Sequence, residues 1–370
     1  MPITADGRPP FRADHIGSLL RPANLRHAFR DHAEKKISDA EFTRIQDAAI
    51  RDVVKLQEGV GLKMVTDGEF RRTSYWARFV SLTEGLTVKE AMFKFHDDHG
   101  HEQDFTAPHV AGRVRRSGPI ALDEFTFVKG VTAAVPKITM PSPSTMHFYR
   151  WSHYADAGIY ADAKEFFADL GKVYQQEIAG LAAAGARYVQ LDEVALAMLC
   201  DPAARDRVKA AGGEPDALVD LYVEAINEAV KNRPSGMVVG VHMCRGNYKG
   251  KYLAEGGYDS IADKLFNKAD VNHFLLEYDT PRAGDFAPLR MMPKNKGVVL
   301  GLVSSKLAQL ESIDALKRRA DEAAKYVDPA RLAISPQCGF ASTMGGNPVT
   351  EADEAAKLRL CVEAARKIWG

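Results

Sequence analysis

"MVVGVHMCRGN", residues 237–247, is the stretch on which the fold turns. An apolar run of strand length ends in a histidine and a cysteine two residues apart. Side chains alternate along a strand, so His242 and Cys244 project from one face. Imidazole nitrogen and thiolate sulfur are together what Zn²⁺ prefers. Spacing alone leaves two readings open: a metal pair, or two residues closing a buried strand. The rest of the chain has to decide between them.

Short apolar runs of the same kind recur at 11–20 (FRADHIGSLL), 62–70 (LKMVTDGEF), 136–141 (PKITMP), 187–193 (RYVQLDE), 273–279 (HFLLEYD), 297–305 (GVVLGLVSS) and 331–339 (RLAISPQCG). Stretches of helical period separate them. The clearest covers 39–58, where Phe42, Ile45, Ala49, Val53 and Leu56 repeat every three to four residues. Ser38 and Glu41 supply a capping box, with Ile37 and Phe42 as its staple. Others cover 161–184, 214–231, 308–326 and 350–368. Eight strands with helical crossovers predict an α/β fold, a single (β/α)₈ TIM-type barrel spanning 1–370. Residues 80–130, which include "FHDDHGHEQDF" and "RVRRSGPI", fit no strand-helix unit and are expected to form an insertion capping the catalytic face.

Composition narrows the function. The 370 residues are 46% hydrophobic and carry 49 basic against 49 acidic side chains, so no global field favours nucleic acid or an anionic membrane. The N-terminus has no basic-then-apolar signal pattern, and no apolar run reaches about 18 residues. Four cysteines in a chain this long do not make a disulfide framework, which points to a reducing compartment, the cytoplasm.

In such a barrel, chemistry gathers at the carboxyl ends of the strands. In order those ends carry Ser18, Asp67 and Glu69, Ser142, Asp192 and Glu193, His242 and Cys244, Glu277 and Asp279, Ser304, and Cys338. The set is too polar and too ligand-rich to serve stability alone. Two cysteines, a histidine and a carboxylate on successive ends can converge on one ion. Cys200 and Cys361 read as small apolar fillers. His96, His99 and His101 are open to two readings, a second metal site or a solvated loop. "RVRRS" (113–117) is a solvated surface or a hold for an anionic substrate tail.

The segments "DHIGSLLRP" (14–22), "TDGEFRR" (66–72), "VQLDEVAL" (189–196), "HMC" (242–244), "LLEYD" (275–279) and "SPQCGF" (335–340) resemble the cobalamin-independent methionine synthase family, specifically its catalytic C-terminal barrel and short single-barrel relatives. The resemblance implies zinc held by His242, Cys244, Glu277 and Cys338. It implies that Asp192 and Glu69, the expected catalytic carboxylates, bind the amino group of a thiol amino acid. Ile16 and Ser18 would hold its carboxylate, with His15 and Arg71 as further substrate contacts. The implied reaction is transfer of a methyl group to homocysteine, giving methionine. Zinc deprotonates the thiol, whose ordinary pKa is near 8.5, and Glu277 exchanges for substrate sulfur.

Three departures concern the methyl donor. The full-length enzymes have two tandem barrels, whereas this chain has the length of one. The family's pterin-stacking tryptophan falls in "PSPSTMHFYRW" at His147, which moves the stacking surface to Phe148, Tyr149 or Trp151. Its proton-donating histidine falls at Val303, which carries no proton; Lys306, His15 and His147 are the candidates to replace it. The donor is therefore left as a folate, another small molecule or a corrinoid protein, and the oligomeric state is left open. The single-barrel relatives also include enzymes resembling epoxyalkane–coenzyme M transferase, in which a zinc-bound thiol opens an epoxide. Non-enzymatic metal storage and a metal-free porphyrinogen-type decarboxylase are the other readings.

Overall fold

A computed structural model of the chain describes residues 7–370. Eleven strands run in chain order: β1 Met64–Val65, β2 Thr83–Glu90, β3 Phe95–His96, β4 Glu102–Gln103, β5 Thr106–Arg116, β6 Val135–Pro141, β7 Tyr188–Glu193, β8 Val238–Met243, β9 His273–Glu277, β10 Gly297–Val303 and β11 Leu332–Pro336. Seven of them form one parallel sheet in the order β1-β6-β7-β8-β9-β10-β11. Sequential neighbours joined by helical crossovers give this order. Strands β7 to β11 are buried along their whole length, as expected of strands covered on both faces.

The expected eight-stranded closed barrel is thus observed as a curled seven-stranded sheet. The segment predicted as the first strand, 11–20, makes a single bridge, Ala13 to Ile334 of β11. Gly17 sits at φ 127°, and a Cβ there would lie 2.5 Å from the Thr139 side chain, so the chain bends where a strand would continue. Its carbonyls are taken by side chains instead. Lys137 Nζ donates to His15 O, Gln190 Nε2 donates to Ile16 O at 2.6 Å, and Thr66 Oγ1 donates to Gly17 O at 2.7 Å. The second expected strand, 62–70, shortens to β1 because Gly68 (φ 69°) and Glu69 (φ 61°) are both left-handed.

Helices Asp39–Gly59, Ala163–Ala183, Pro215–Val230 and Glu351–Trp369 form where the apolar period predicts them. Ser38 Oγ accepts the Glu41 amide at 3.2 Å. Helix Ile313–Ala323 starts later than 308 because Ser312 is its cap. Within 80–130, β2 and β5 pair as a long antiparallel hairpin and β3 and β4 as a short one, and helix Leu122–Val131 follows. The hairpins fold back onto the carboxyl side of the sheet: His96 bridges Tyr252, and Val110 bridges Ala155. No helix among the described residues is long and apolar enough to cross a membrane.

Candidate metal centre and substrate pocket

Asp192 on β7 and His242 on β8 are register partners, so they share one face, and His242 Nδ1 lies 3.1 Å from Asp192 Oδ1. That contact turns Nε2 towards the end of β11. Cys244 follows β8 and Cys338 follows β11, and one donor atom from each of His242, Cys244 and Cys338 lies within 4.8 Å of the others, all buried. A tetrahedral zinc with bonds of about 2.0–2.3 Å separates its donors by roughly 3.3–3.8 Å, so the trio needs only a small contraction. A carboxylate behind a ligating imidazole is the usual support for such a ligand.

The three side chains act strongly on one another. Cys244 donates to Cys338, which holds the Cys338 thiol down to about 5 despite burial, with His242 adding to the effect. The same hydrogen bond, with burial, pushes Cys244 well above the usual thiol range. Burial opposes a charged His242, but hydrogen bonds to Asp192 and Cys338 raise it to about 10. Glu277 stands beside the trio rather than within it. Its Oε2 accepts the Arg245 amide at 2.8 Å, while its Oε1 is buried with no hydrogen-bond partner. An orphaned carboxylate oxygen whose charge acts on the Cys244 thiol fits a metal held by the trio.

Ile16, Ser18, Glu69 and Asp192 line the same small cleft, of about 40 Å³, as the trio. Ser18 packs on Gly339, where a Cβ would stand 1.9 Å from its Oγ, so only glycine permits this approach. Glu69 Oε1 accepts Thr139 Oγ1 at 2.7 Å and lies 3.5 Å from Arg72, while Oε2 is buried and unpartnered. Burial, reinforced by Asp192 and opposed by Arg72, raises Glu69 to about 7.

Other predicted residues stand elsewhere. Arg71 pairs with Asp47 at 2.6 Å and lies over the Phe127 ring, away from the cleft. Its neighbour Arg72 faces inward and grips Glu124 with two nitrogens, at 2.7 and 3.0 Å. His15 is outside the cleft lining, and burial with Lys137 nearby pushes it down to about 3. His147 bonds Tyr222 at 2.8 Å, and burial holds it at about 3. Of the proposed stacking residues, Tyr149 lines the cleft, whereas Phe148 packs on Phe93 and Trp151 on His147. Lys306 Nζ donates to Gly246 O at 3.1 Å, and Val303 is fully buried. Among the described residues, His96, His99 and His101 form no metal-ligating group. Arg113, Arg115 and Arg116 each pair with acidic side chains. Cys200 is buried and raised to about 12, and Cys361 lies in the core.

Sequence reasoning missed Gln190, which donates to Asp192 Oδ1 at 2.7 Å as well as to Ile16 O. Alternation along "VQLDE" puts both side chains on one face and was the available signal. It also missed Tyr75, whose hydroxyl lies 3.0 Å from that of Tyr149; these residues are 74 apart and no local pattern links them.

Residues 11–367 match the family model described as the cobalamin-independent synthase catalytic domain. The Bacillus subtilis protein YxjH, an uncharacterized protein, is 36% identical over 97% of this chain and 95% of its own length. The methionine synthase of Pyrococcus horikoshii is 30% identical, over 88% of this chain and 85% of its own. Among solved structures, the putative vitamin-B12-independent methionine synthase of Listeria monocytogenes aligns with a TM-score of 0.76 at 31% identity, covering 98% of this chain and 99% of that one. A B12-independent methionine synthase from Shewanella, solved in complex with selenomethionine, shares the fold with a TM-score of 0.73 at 19% identity. This chain is a member of the cobalamin-independent methionine synthase family.

Proposed function

We propose that the chain is a zinc-dependent thiol alkyltransferase whose reaction is methylation of homocysteine to methionine. One observation carries the reading: His242, Cys244 and Cys338 bring their donor atoms within 4.8 Å at the wall of the cleft that holds Glu69 and Asp192. His242, Cys244 and Cys338 would hold zinc, and the unpartnered Oε1 of Glu277 is the fourth donor at hand. Zinc bound there supplies the Lewis acidity that keeps a thiol ionised at neutral pH.

The chain's own residues do the rest. Glu69 and Asp192 take the ammonium group of the amino acid, and Ser18 with the Ile16 backbone takes its carboxylate. This grip points the substrate sulfur at the trio. Arg72 and Thr139 fix Glu69, and Gln190 fixes Asp192 and the Ile16 carbonyl together. The sulfur then displaces the leaving group from the methyl carbon in line. The hairpins β2–β5 and β3–β4 serve as the cap that excludes water from this step.

Opening of an epoxide by the sulfonate thiol coenzyme M is the second reading, and the cleft disfavours it. Among the described residues, two carboxylates and no Lys or Arg line it, which suits an ammonium and not a sulfonate. Zinc content and methionine formation, measured on the wild-type chain and on Cys338→Ser, test the proposal. Full turnover by a variant without metal would refute it.

A further inference from the structure

Beyond the cleft, between the hairpins and the sheet, lies a second cavity of about 740 Å³. It shares Tyr75, Phe95, Tyr149, Asn247 and Ser342 with the cleft, so the two are continuous. Its size suits a small-molecule substrate. Its walls are unusual in two respects. Six aromatic rings line it: Tyr75, Trp76, Phe95, Phe105, Tyr149 and Tyr248. Phe95 contacts Tyr248 and Phe105, and Phe105 contacts Tyr149, at centroid separations of 4.9–5.4 Å, so four of the rings form one wall. Among the described residues, the only charged one lining it is Asp104, at the exposed rim and 3.6 Å from Lys94 Nζ.

We propose that this cavity admits a methyl onium cation, a sulfonium or quaternary ammonium compound, as the methyl donor. Aromatic faces attract such cations, more strongly where water is excluded. Tyr248 already carries one, with Lys249 Nζ 5.4 Å from its ring centroid. Further in, the cleft adds Glu69 and Asp192 and no basic side chain other than His242. Among the described residues no Lys or Arg lines the cavity or the cleft; Lys94 stands at the rim, paired with Asp104, and Lys249 stands over the Tyr248 ring. The second argument is chemical. No His, Lys or buried carboxyl group lines the cavity, and burial pushes the Tyr75 and Tyr149 hydroxyls above their ordinary range. A donor whose leaving atom is held within the cavity and must be protonated would find only these two phenols there. An onium donor needs none. The substrate thiol loses its proton to solvent on ionisation, and its sulfur forms a bond to the methyl carbon. The bond from that carbon to the onium heteroatom breaks, and its electron pair stays on the heteroatom, which leaves as a neutral thioether or tertiary amine.

The inference rests on the methyl-transfer reading, so the test separates the two. Binding is read first, on the zinc-loaded chain, by tryptophan fluorescence, since Trp76 is in the wall. Choline and trimethylsulfonium are expected to quench it saturably. The uncharged isostere of choline, with tert-butyl in place of trimethylammonium, should bind about tenfold more weakly. Trp76→Leu, which removes the reporter and is therefore read by calorimetry, and Asp104→Asn should each weaken the cations more than the isostere. Mass spectrometry then follows a deuterated methyl group from each cation into methionine, which identifies the onium class. Homocysteine binding, read separately by calorimetry, reports on the thiol site. If homocysteine binds but the isostere or 5-methyltetrahydrofolate matches or exceeds the cations, the onium inference fails and the methyl-transfer reading stands. If homocysteine does not bind either, both fail.

Discussion

Two polar clusters lie inside the same curled sheet and are built on opposite logic. The lower one centres on Lys137, whose ammonium donates to Asp14, to the His15 carbonyl and to Gln190. Asp14 also accepts the Tyr188 hydroxyl at 2.7 Å. Every polar atom of Lys137, Asp14 and Gln190 has a partner. The upper cluster, towards the carboxyl ends of the strands, leaves Glu69 Oε2, Glu277 Oε1 and Asp67 Oδ2 buried and unpartnered. Buried acceptors without donors are costly, about 1–3 kcal/mol each. The lower cluster stabilises the fold and shapes the 15–18 loop; the upper one leaves acceptors open to the metal and ammonium group proposed above. Gln190 belongs to both and is the mechanical link between them.

The contrast breaks most severely at the ligands. Cys244→Ser and Cys338→Ser are expected to lose zinc and turnover together, read by elemental analysis and a methionine assay, while the circular dichroism spectrum stays folded. Next in size is Lys137→Met, which leaves Asp14 buried without its counter-cation. A loss of about 3–5 kcal/mol in urea unfolding is expected, and Lys137→Met combined with Asp14→Leu should recover most of it. Little loss from the single variant would mean that the lower cluster is not structural.

Glu69 sharpens the same comparison through pH. Its folded pKa, about 7, lies above its unfolded value near 4.5, so the folded state binds the proton more tightly. In the metal-free, substrate-free chain its contribution to stability is present below about 4.5 and is lost as pH rises through about 7. Glu69→Gln should remove that slope and raise metal-free stability at pH 8 by of the order of 2–3 kcal/mol, while abolishing homocysteine binding. Asp192→Asn is expected to weaken zinc by roughly 10–100-fold without unfolding the chain. The smallest effect on the site belongs to Arg71→Ala: its ion pair with Asp47 and its contact with Phe127 lie away from the cleft, so KM for homocysteine should stay unchanged.

The strands at the core of the sheet were legible because they are buried on both faces and read as unbroken apolar runs; β7 to β11 end within about three residues of the spans read from sequence. The first strand was not. "FRADHIGSLL" is apolar enough, but Gly17 adopts a positive φ and its flanking carbonyls bond side chains from β6 and β7, contacts that no local pattern contains. Orientation in turns was likewise hidden. In "GEFRR", Arg71 and Arg72 are indistinguishable by sequence, and the left-handed Glu69 decides that Arg72 turns inward. The grouping of His242 with Cys244 follows from strand alternation, whereas Cys338 joins them only through the curl of the sheet from β8 round to β11. The aromatic wall of the large cavity is assembled from four separate segments and leaves no linear trace.

Zinc-edge X-ray absorption on the purified chain, before and after addition of homocysteine, tests the central claim most directly. The account predicts bound zinc with sulfur ligands at about 2.3 Å, and one further sulfur on adding the thiol. Zinc that is absent, or a coordination shell that homocysteine leaves unchanged, would contradict it.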